Sequence, residues 1–544
     1  MDLTRRKALA ALAASPWAIP ALAHQASLPD LRFKSPRAGQ SHRNRGYGIS
    51  TNHPAATQAA HHIQAQGGNV FDMYLAALAA AWVVDPANCS PFGRMQGIYR
   101  VDGEYGCVHA ATKVRHESGS TVPLPGNIPA YFFLRKSGRL HLPLRTILAP
   151  ARAVALRGFR PTDALQVAIR GSAAGMGPEL RSIYLDGAGQ VRPTVRNPQL
   201  AELLQIMGQA GDEDRFWTQI YARKPGPWVT QEIGSNVVRT GTPRMLPLRD
   251  AEGREYQLRA TGNLETWGSW TMLGAAVTDE LRSSGTFSHR ARAMEAYLLA
   301  TILILDRIPF AVGSLKPKLA TPSVDIDIQA EGRAIAVRVR ELLDMPNAQL
   351  WEVLHRTYFP GKGSKTDDRN TNQFSVAASD DFLSFTTSLG PWFGSRRGWF
   401  GAGLAYSYAM KSEQLFAGQT HDVTEMSPLI IERDGRPWLA IGAAGSERIF
   451  GALTYLLFLK LGLGLSGDFA ELITLPRLFP KDGKVRIHLD MPAEIQEHLV
   501  DRGFTLEPTR YDLGKHLGIV NLVEEVEPGL FHSGADPSGD GGVF

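Results

Sequence analysis

Cysteine is almost absent from this chain, with only Cys89 and Cys107 among 544 residues. Two thiols make at most one bridge, so a disulfide framework is excluded as the main source of stability. One bridge in an oxidising compartment and two free buried thiols are both compatible with the pair. CxxC, HxxxH and HExxH are missing, and there is no Cys/His cluster, so no structural or catalytic metal and no cofactor is expected. His61-His62 fall on a predicted helix, where neighbouring residues point apart and do not share a metal. No apolar run after the N-terminus approaches the roughly 20 residues that span a bilayer, so stable membrane insertion is not expected. Long basic tracts are also lacking, and "GSRRGW" is too short to count. The formal charge of +5 includes +2 from Arg5, Arg6 and Lys7 against Asp2, leaving +3 elsewhere. That is a solvated surface, and no nucleic-acid partner is expected. Internal repeats and low-complexity tracts are missing as well.

What is present is an ordinary globular composition, 44% hydrophobic and 20% charged, with length for a large core. The first residues, "MDLTRRKALAALAASPWAIPALAHQ", hold a twin arginine, a short Ala/Leu-rich segment and Ala21-Leu22-Ala23 ahead of His24. Charged n-region, short apolar h-region and small-x-small site read as a twin-arginine export signal over residues 1–23. Pro16 and Pro20 disfavour a continuous membrane helix there. The expectation is a soluble periplasmic or secreted protein.

In "STNHPAATQAAHHIQAQGGNVFDMYLAALAAAWVVDP", Pro54 opens a helix that Gly67-Gly68 ends. A second helix, about Val70 to Val84, is apolar nearly all round and is expected to be buried against a sheet. Asp102-Gly103 marks a hairpin. "LRTILAPARAVALRGF" reads as an amphipathic helix, and "NPQLAELLQIMGQAGDEDRFWTQIYAR" as another, interrupted at Gly208 and Gly211. From Gly285 to Leu343 the pattern is mostly helical. Beyond residue 371 it turns to short strands: "QFSVAAS", "FLSFTTS", "SPLIIERDG" and "PWLAIGAAG". "SERIFGALTYLLFLKLGLG" then reads as a helix, "KVRIHLD" as a strand and "PAEIQEHLVDRG" as a helix. Strands and helices alternating in this way suggest stacked α and β layers, an α+β fold.

Several segments, in this order, resemble the gamma-glutamyltranspeptidase family. The opening helix pair is similar to its "ATQAG…L..GGNAVDAA" pattern, "LPGNIPAYFF" to its "PG" segment, and "NPQLAELLQIMGQAGDEDRFW" to "N..LA.TL..IA..G...FY". "TNQFSVAASDDFLSFTTSLGPWFGS" resembles "TTHFSVVD…VS.T.T.N..FGS". "TEMSPLIIERDGRPWLAIGAAGSERI" resembles "SSMSPTIV..DG.P.L..GSPGGSRI", and "GADPSGDGG" resembles "A.DPR.DG". The likeness covers nearly the whole chain after the signal. It implies the four-layer αββα sandwich of the N-terminal nucleophile hydrolases. It also implies self-cleavage between Asn370 and Thr371, giving a heavy piece, 24–370, and a light piece, 371–544, that share one domain.

A mid-chain threonine hydroxyl is a weak nucleophile. Once the bond before it is cut, the α-amine titrates near about 7.7–8.0 and can take the hydroxyl proton, so one residue supplies nucleophile and base. The alternative for Thr371 is an ordinary turn residue ahead of a strand. By the resemblance, Ser388 takes the place of a threonine that hydrogen-bonds the nucleophile. Gly445 and Ser446 take the place of the Gly-Gly pair whose backbone N–H groups bind the oxyanion. That role survives at Ser446 if the turn needs no positive φ there.

The departures concentrate where the family holds its substrate. "TTH" is Thr371-Asn372-Gln373 here, and the "SSM" segment becomes Thr424-Glu425-Met426. Glu425 puts a negative charge where a hydroxyl meets the substrate carboxylate. The amine-binding Asp falls on Ser412, beside Lys411. The carboxylate-clamping arginine has no counterpart unless Lys113 or Arg115 is shifted into place, an asparagine becomes Gly390, and "GIGGGGF" becomes "SPFGRMQG". Losing a charge-assisted bidentate contact weakens binding strongly. The reading is an exported, self-processing threonine hydrolase or acyltransferase acting on a small-molecule amide that is not a standard gamma-glutamyl compound. The alternative is an inactive scaffold or binding protein that kept the sandwich.

Overall fold

The structure, a computed structural model, describes residues 40–113, 123–137, 139–223, 234–262, 266–308, 326–357, 359, 371–404, 420–511 and 516–544. The expected export signal, Asn370, Lys411, Ser412 and Arg115 lie outside the described residues. Among those described, no helix is long and apolar enough to cross a membrane.

Two seven-stranded sheets carry the fold. One runs Gln40–Arg45, Leu530–Ala535, Ile519–Glu527, Arg436–Ala444, Leu429–Arg433, Glu255–Ala260, Arg244–Arg249. The other runs Gly542–Val543, Tyr47–Thr51, Asn372–Ala378, Asp381–Ser388, Arg94–Val101, Glu104–Ala110, Arg239–Gly241. Each sheet mixes strands from before and after residue 371, so the two halves of the chain form one body.

The layers follow from which side chains face which way. In the Asn372–Ala378 strand, Phe374 and Val376 pack into an apolar cluster with the helices Pro54–Gln64, Val70–Val84 and Pro198–Ala210. Ala377 faces the other way, into a thin core between the sheets with Ile98, Phe382, Ile430, Ala440, Val523 and Phe531. A third cluster joins the outer face of the first sheet to the helices Gly268–Ser283, Arg290–Arg307 and Arg448–Leu457. The order is therefore helix, sheet, sheet, helix, the αββα sandwich expected from the resemblance.

The Val70–Val84 helix shows how local sequence sets this packing. Asn69 accepts hydrogen bonds from the backbone N–H groups of Phe71 and Asp72, and Asp72 accepts one from Asn69, a complete capping box. Every residue in it is buried, and its alanines let it lie close on the sheet. The Asp102-Gly103 hairpin takes φ of 54° and 81°, the left-handed pair a two-residue turn requires.

Two details differ from the sequence reading. Gly208 does not interrupt its helix, which runs Pro198–Ala210 and breaks only at Gly211, φ 82°. A Cβ on Gly208 would meet the Arg145 Cα at 3.2 Å, so this glycine allows two helices to pass closely. The helix after Ser446 is α only over Arg448–Leu457 and continues as a π turn to Gly462. Both cysteines are free and buried. Cys107 lies between the sheets and Cys89 in the helix-side cluster. Burial pushes the Cys107 thiol up to about 12, so it is inert.

Candidate active site

Thr371 sits immediately before the strand Asn372–Ala378 and is 6% exposed. Asn372 pairs with Thr387 on the neighbouring strand, so the antiparallel register, continued by one residue, sets Thr371 opposite Ser388. Ser388 pairs in turn with Arg94. The Ser388 hydroxyl oxygen accepts the N–H of Gly390, whose φ of 86° closes the turn where the family pattern has asparagine.

The residues after Thr371 fix the strand from several sides. Asn372 Nδ2 donates to Asp85 Oδ2 at 2.9 Å, and the Gln373 N–H donates to Asn52 Oδ1 at 2.7 Å. The Gln373 side chain is fully buried between the sheets. Its amide nitrogen is shared among Phe374 O, Ser375 Oγ and Ser384 Oγ, and its oxygen accepts from Thr386 Oγ1 at 2.7 Å. Gln373 thus replaces the family's histidine with a satisfied neutral anchor. A Cβ on Gly442 would come within 2.2 Å of Gln373 Oε1, so that glycine is required by the close approach of the two sheets.

This contact also locates the expected oxyanion turn. Gly442 faces Gln373 near the start of its strand, and Gly445 follows the end of the Arg436–Ala444 strand, towards the Thr371 end of the sandwich. Ala444 pairs with Ile519, which lines the same cleft as Thr371. Gly445 has φ 130°, and a Cβ there would lie 2.6 Å from His516 Cε1. Ser446 has φ 58°, so the condition set from the sequence, a turn without positive φ here, is not met; the serine nevertheless adopts the left-handed conformation, and the turn keeps its form. The Ser446 hydroxyl donates to Glu425 Oε1 at 3.0 Å, which helps hold a conformation that costs a non-glycine residue on the order of 1 kcal/mol. Accordingly, Ser446→Gly is expected to keep stability within about 1 kcal/mol, whereas β-branched Ser446→Val should lose about 2 kcal/mol or more in urea unfolding.

The structure brings some expected residues together and keeps others apart. Thr371 adjoins Ser388 by register, and Ser446 bonds Glu425. Thr424 and Met426 are buried, and Met426 O accepts the N–H of Trp267. None of Gly445, Ser446, Thr424, Glu425 and Met426 lines the cleft into which Thr371 opens. That cleft has an empty volume of about 640 Å³, open solvent at its mouth included. Its wall includes Asn52, His53, Asp85, Asn88, Asp540 and Trp392. Lys113 pairs with Leu124 through two backbone bonds of 3.0 Å, and it bridges to His421.

Sequence reasoning missed the acidic groups. Asp85 ends the Val70–Val84 helix and accepts from Asn372 and Asn88. Burial pushes its carboxyl up to about 6, with nearby Asp540 adding to the rise and the two asparagine bonds opposing it. Asp540 belongs to the C-terminal "GADPSGDGG", a segment quoted above for its resemblance with no role attached. Arg94 was also unassigned. Its Nη1 lies 2.7 Å from Asp422 Oδ2, and both side chains are buried.

The raised Asp85 carboxyl has a measurable consequence. The unfolded chain releases this proton near pH 4 and the folded chain near pH 6, so the folded state binds more protons in between. The stability that this group contributes is full below about pH 4 and is lost as pH rises through about 6, roughly 3 kcal/mol in all. Urea unfolding between pH 4 and 7.5 should show this slope, and Asp85→Asn should flatten it.

Residues 332–544 match the family model for Gamma-glutamyltranspeptidase, a span that includes Thr371, its strand and the Gly445 turn. Two curated relatives, each named Acylase ACY 1 proenzyme, come from Pseudomonas sp. strains V22 and SE83. They are 23% and 24% identical over 507 and 505 residues, covering 84% of this chain and 86% of each relative. The crystal structure of cephalosporin acylase from Bacillus halodurans superposes with a TM-score of 0.70 at 17% identity, covering 95% of this chain and 99% of that one. Over residues 332–544 the chain matches the gamma-glutamyltranspeptidase family, and over nearly its whole length it has the fold of that cephalosporin acylase.

Proposed function

We propose that this protein is an exported amidohydrolase or acyltransferase that cuts its own chain between Asn370 and Thr371 and uses the freed Thr371 as nucleophile. The observation that carries the reading is the placement of Thr371. It heads a central strand, is held by Asn372 and Gln373, borders an open cleft and shares an end of the sandwich with the Gly445 turn. The names of the two curated relatives, each an acylase proenzyme, fit a precursor of this kind.

In the mechanism the α-amine of Thr371 takes the hydroxyl proton as Oγ attacks the amide carbonyl. The N–H groups of Gly445 and Ser446 are the donors for the oxyanion, fixed by the left-handed turn that holds them. Collapse breaks the C–N bond, the leaving amine takes the proton, and the acyl group stays on Oγ as an ester. Water or a second amine then attacks the ester and returns the enzyme. Ser388, opposite Thr371, orients the hydroxyl.

Glu425 sets the substrate class by exclusion. Its carboxylate bonds Ser446 beside the oxyanion turn, so an acyl group carrying a free carboxylate there meets a like charge. A gamma-glutamyl anilide should therefore release aniline at least about 100-fold more slowly than the best uncharged acyl anilide of a panel, a difference of roughly 2.7 kcal/mol. Brisk release from the gamma-glutamyl compound would overturn the exclusion. Inertness towards every member, from a fully cleaved protein, would favour the scaffold.

A further inference from the structure

We propose that the cleft beside Thr371 binds an ammonium group carried on an apolar body, with Asp540 as its counter-ion. One wall is apolar: Leu165, Val167 and Ala168 of the helix Asp163–Ser172, with Trp392 packed against the same helix at Gly171. Val167 is 47% exposed, an apolar side chain left open at the cleft. The other wall is polar and acidic, since Asp85 and Asp540 line it and, among the described residues, no lysine or arginine does.

The polar wall is also unsatisfied. Asp540 Oδ2, Asn88 Oδ1 and His53 Nε2 are each buried atoms with no hydrogen-bond partner among the described residues, and all three residues line this cleft. Two of these atoms are acceptors. The third is a donor, because His53 Nδ1 accepts the N–H of Ala55 at 3.1 Å, which leaves the proton of the neutral ring on Nε2. Burial lowers the His53 ring to about 4, so it carries no charge at neutral pH. The Asn88 amide is turned with its nitrogen on Asp85, at 2.9 and 3.2 Å, which directs its oxygen elsewhere.

An anionic ligand would bring a third negative charge to this wall, with no cation among the described lining residues to meet it. A neutral apolar ligand would leave the two acceptors unpaired, which costs about as much as it gains. An ammonium donates to Asp540 Oδ2 and Asn88 Oδ1, and a hydrocarbon body lies on Leu165, Ala168 and Trp392. As a statement about substrate this rests on Thr371 being the nucleophile, since the amine would then be carried next to the reacting bond. As a statement about binding it does not.

The test is titration of the purified protein with phenethylammonium chloride, and with sodium phenylacetate as the anion of similar shape, followed by calorimetry. A gel of the same sample reports the cleavage state separately. The ammonium should bind saturably, at least tenfold tighter than phenylacetate, and Asp540→Asn should weaken it tenfold or more. Val167→Arg, at an exposed helix position, should weaken the ammonium similarly while leaving the melting temperature unchanged. It covers the case in which Asp540→Asn fails to fold. Absence of saturable ammonium binding, equal binding of phenylacetate, or indifference to both substitutions overturns the proposal. A protein that stays uncleaved yet binds the ammonium as described supports this site and removes only the nucleophile reading.

Discussion

Thr371→Ala is expected to yield one unbroken polypeptide and to abolish amide cleavage, by about 10⁴-fold or more in rate. Under the proposed function, alanine removes the hydroxyl that would attack in both reactions, first on the protein's own Asn370–Thr371 bond and then on substrate. Stability should barely change, because Thr371 stands one residue ahead of the strand. The register there is set by Asn372 on Asp85 and by Gln373 on Asn52, not by the threonine. Thr371→Ser, which keeps the oxygen, should retain cleavage at a reduced rate. The contrast separates loss of the nucleophile from loss of the fold. Denaturing gels of the two variants, with urea unfolding beside them, are the measurement.

Asp422→Ala is expected to cost about 3–5 kcal/mol of stability, the largest effect of any single change argued for this molecule. Asp422 is fully buried and meets the Arg94 guanidinium at 2.7 Å, and Arg94 is 3% exposed. Removing the carboxylate takes from a buried guanidinium the counter-charge that Asp422 supplies. The pair also has a structural task. Arg94 sits opposite Ser388 on one strand, and Asp422 anchors the segment that carries Thr424, Glu425 and Met426, with its own N–H donating to Thr112 O. Loss of the pair should therefore loosen the Glu425–Ser446 contact as well. The double variant Arg94→Met with Asp422→Leu replaces charge by apolar volume and should recover much of the loss. Urea unfolding of the single and double variants measures both, and a single-variant cost under about 1 kcal/mol would contradict this account.

The layers were legible because each is written in a period. The nearly all-apolar Val70–Val84 stretch signals a buried helix, and the helix observed has those bounds. The strand following Thr371 alternates, but both of its faces are buried. Phe374 and Val376 face the helices, while Gln373 and Ser375 form a polar seam between the sheets with Asn521 and Ser384. A period of two separates the faces without saying that the polar one is also dry. Gly208 was misread because a glycine in a helix looks like a break when the reason for it, the backbone of Arg145, lies 63 residues away in the chain.

The site was legible only in part, for the same reason. Thr371, Ser388 and the Gly445 turn belong to local motifs. Asp85, Asn88, His53 and Asp540 come to the cleft from three separate stretches, and nothing local marks them as neighbours. Arg94 and Asp422 are 328 residues apart and meet only through the fold. Ser446 shows the converse: the sequence left open whether the turn needs a positive φ there, and its φ of 58° shows that the glycine geometry persists after the glycine is gone.

Mass spectrometry of the purified, unmodified protein tests the central claim most directly. The account predicts two chains, one of them beginning with a free threonine at residue 371. A single intact chain, with the residue 371 nitrogen still in its peptide bond, would contradict it.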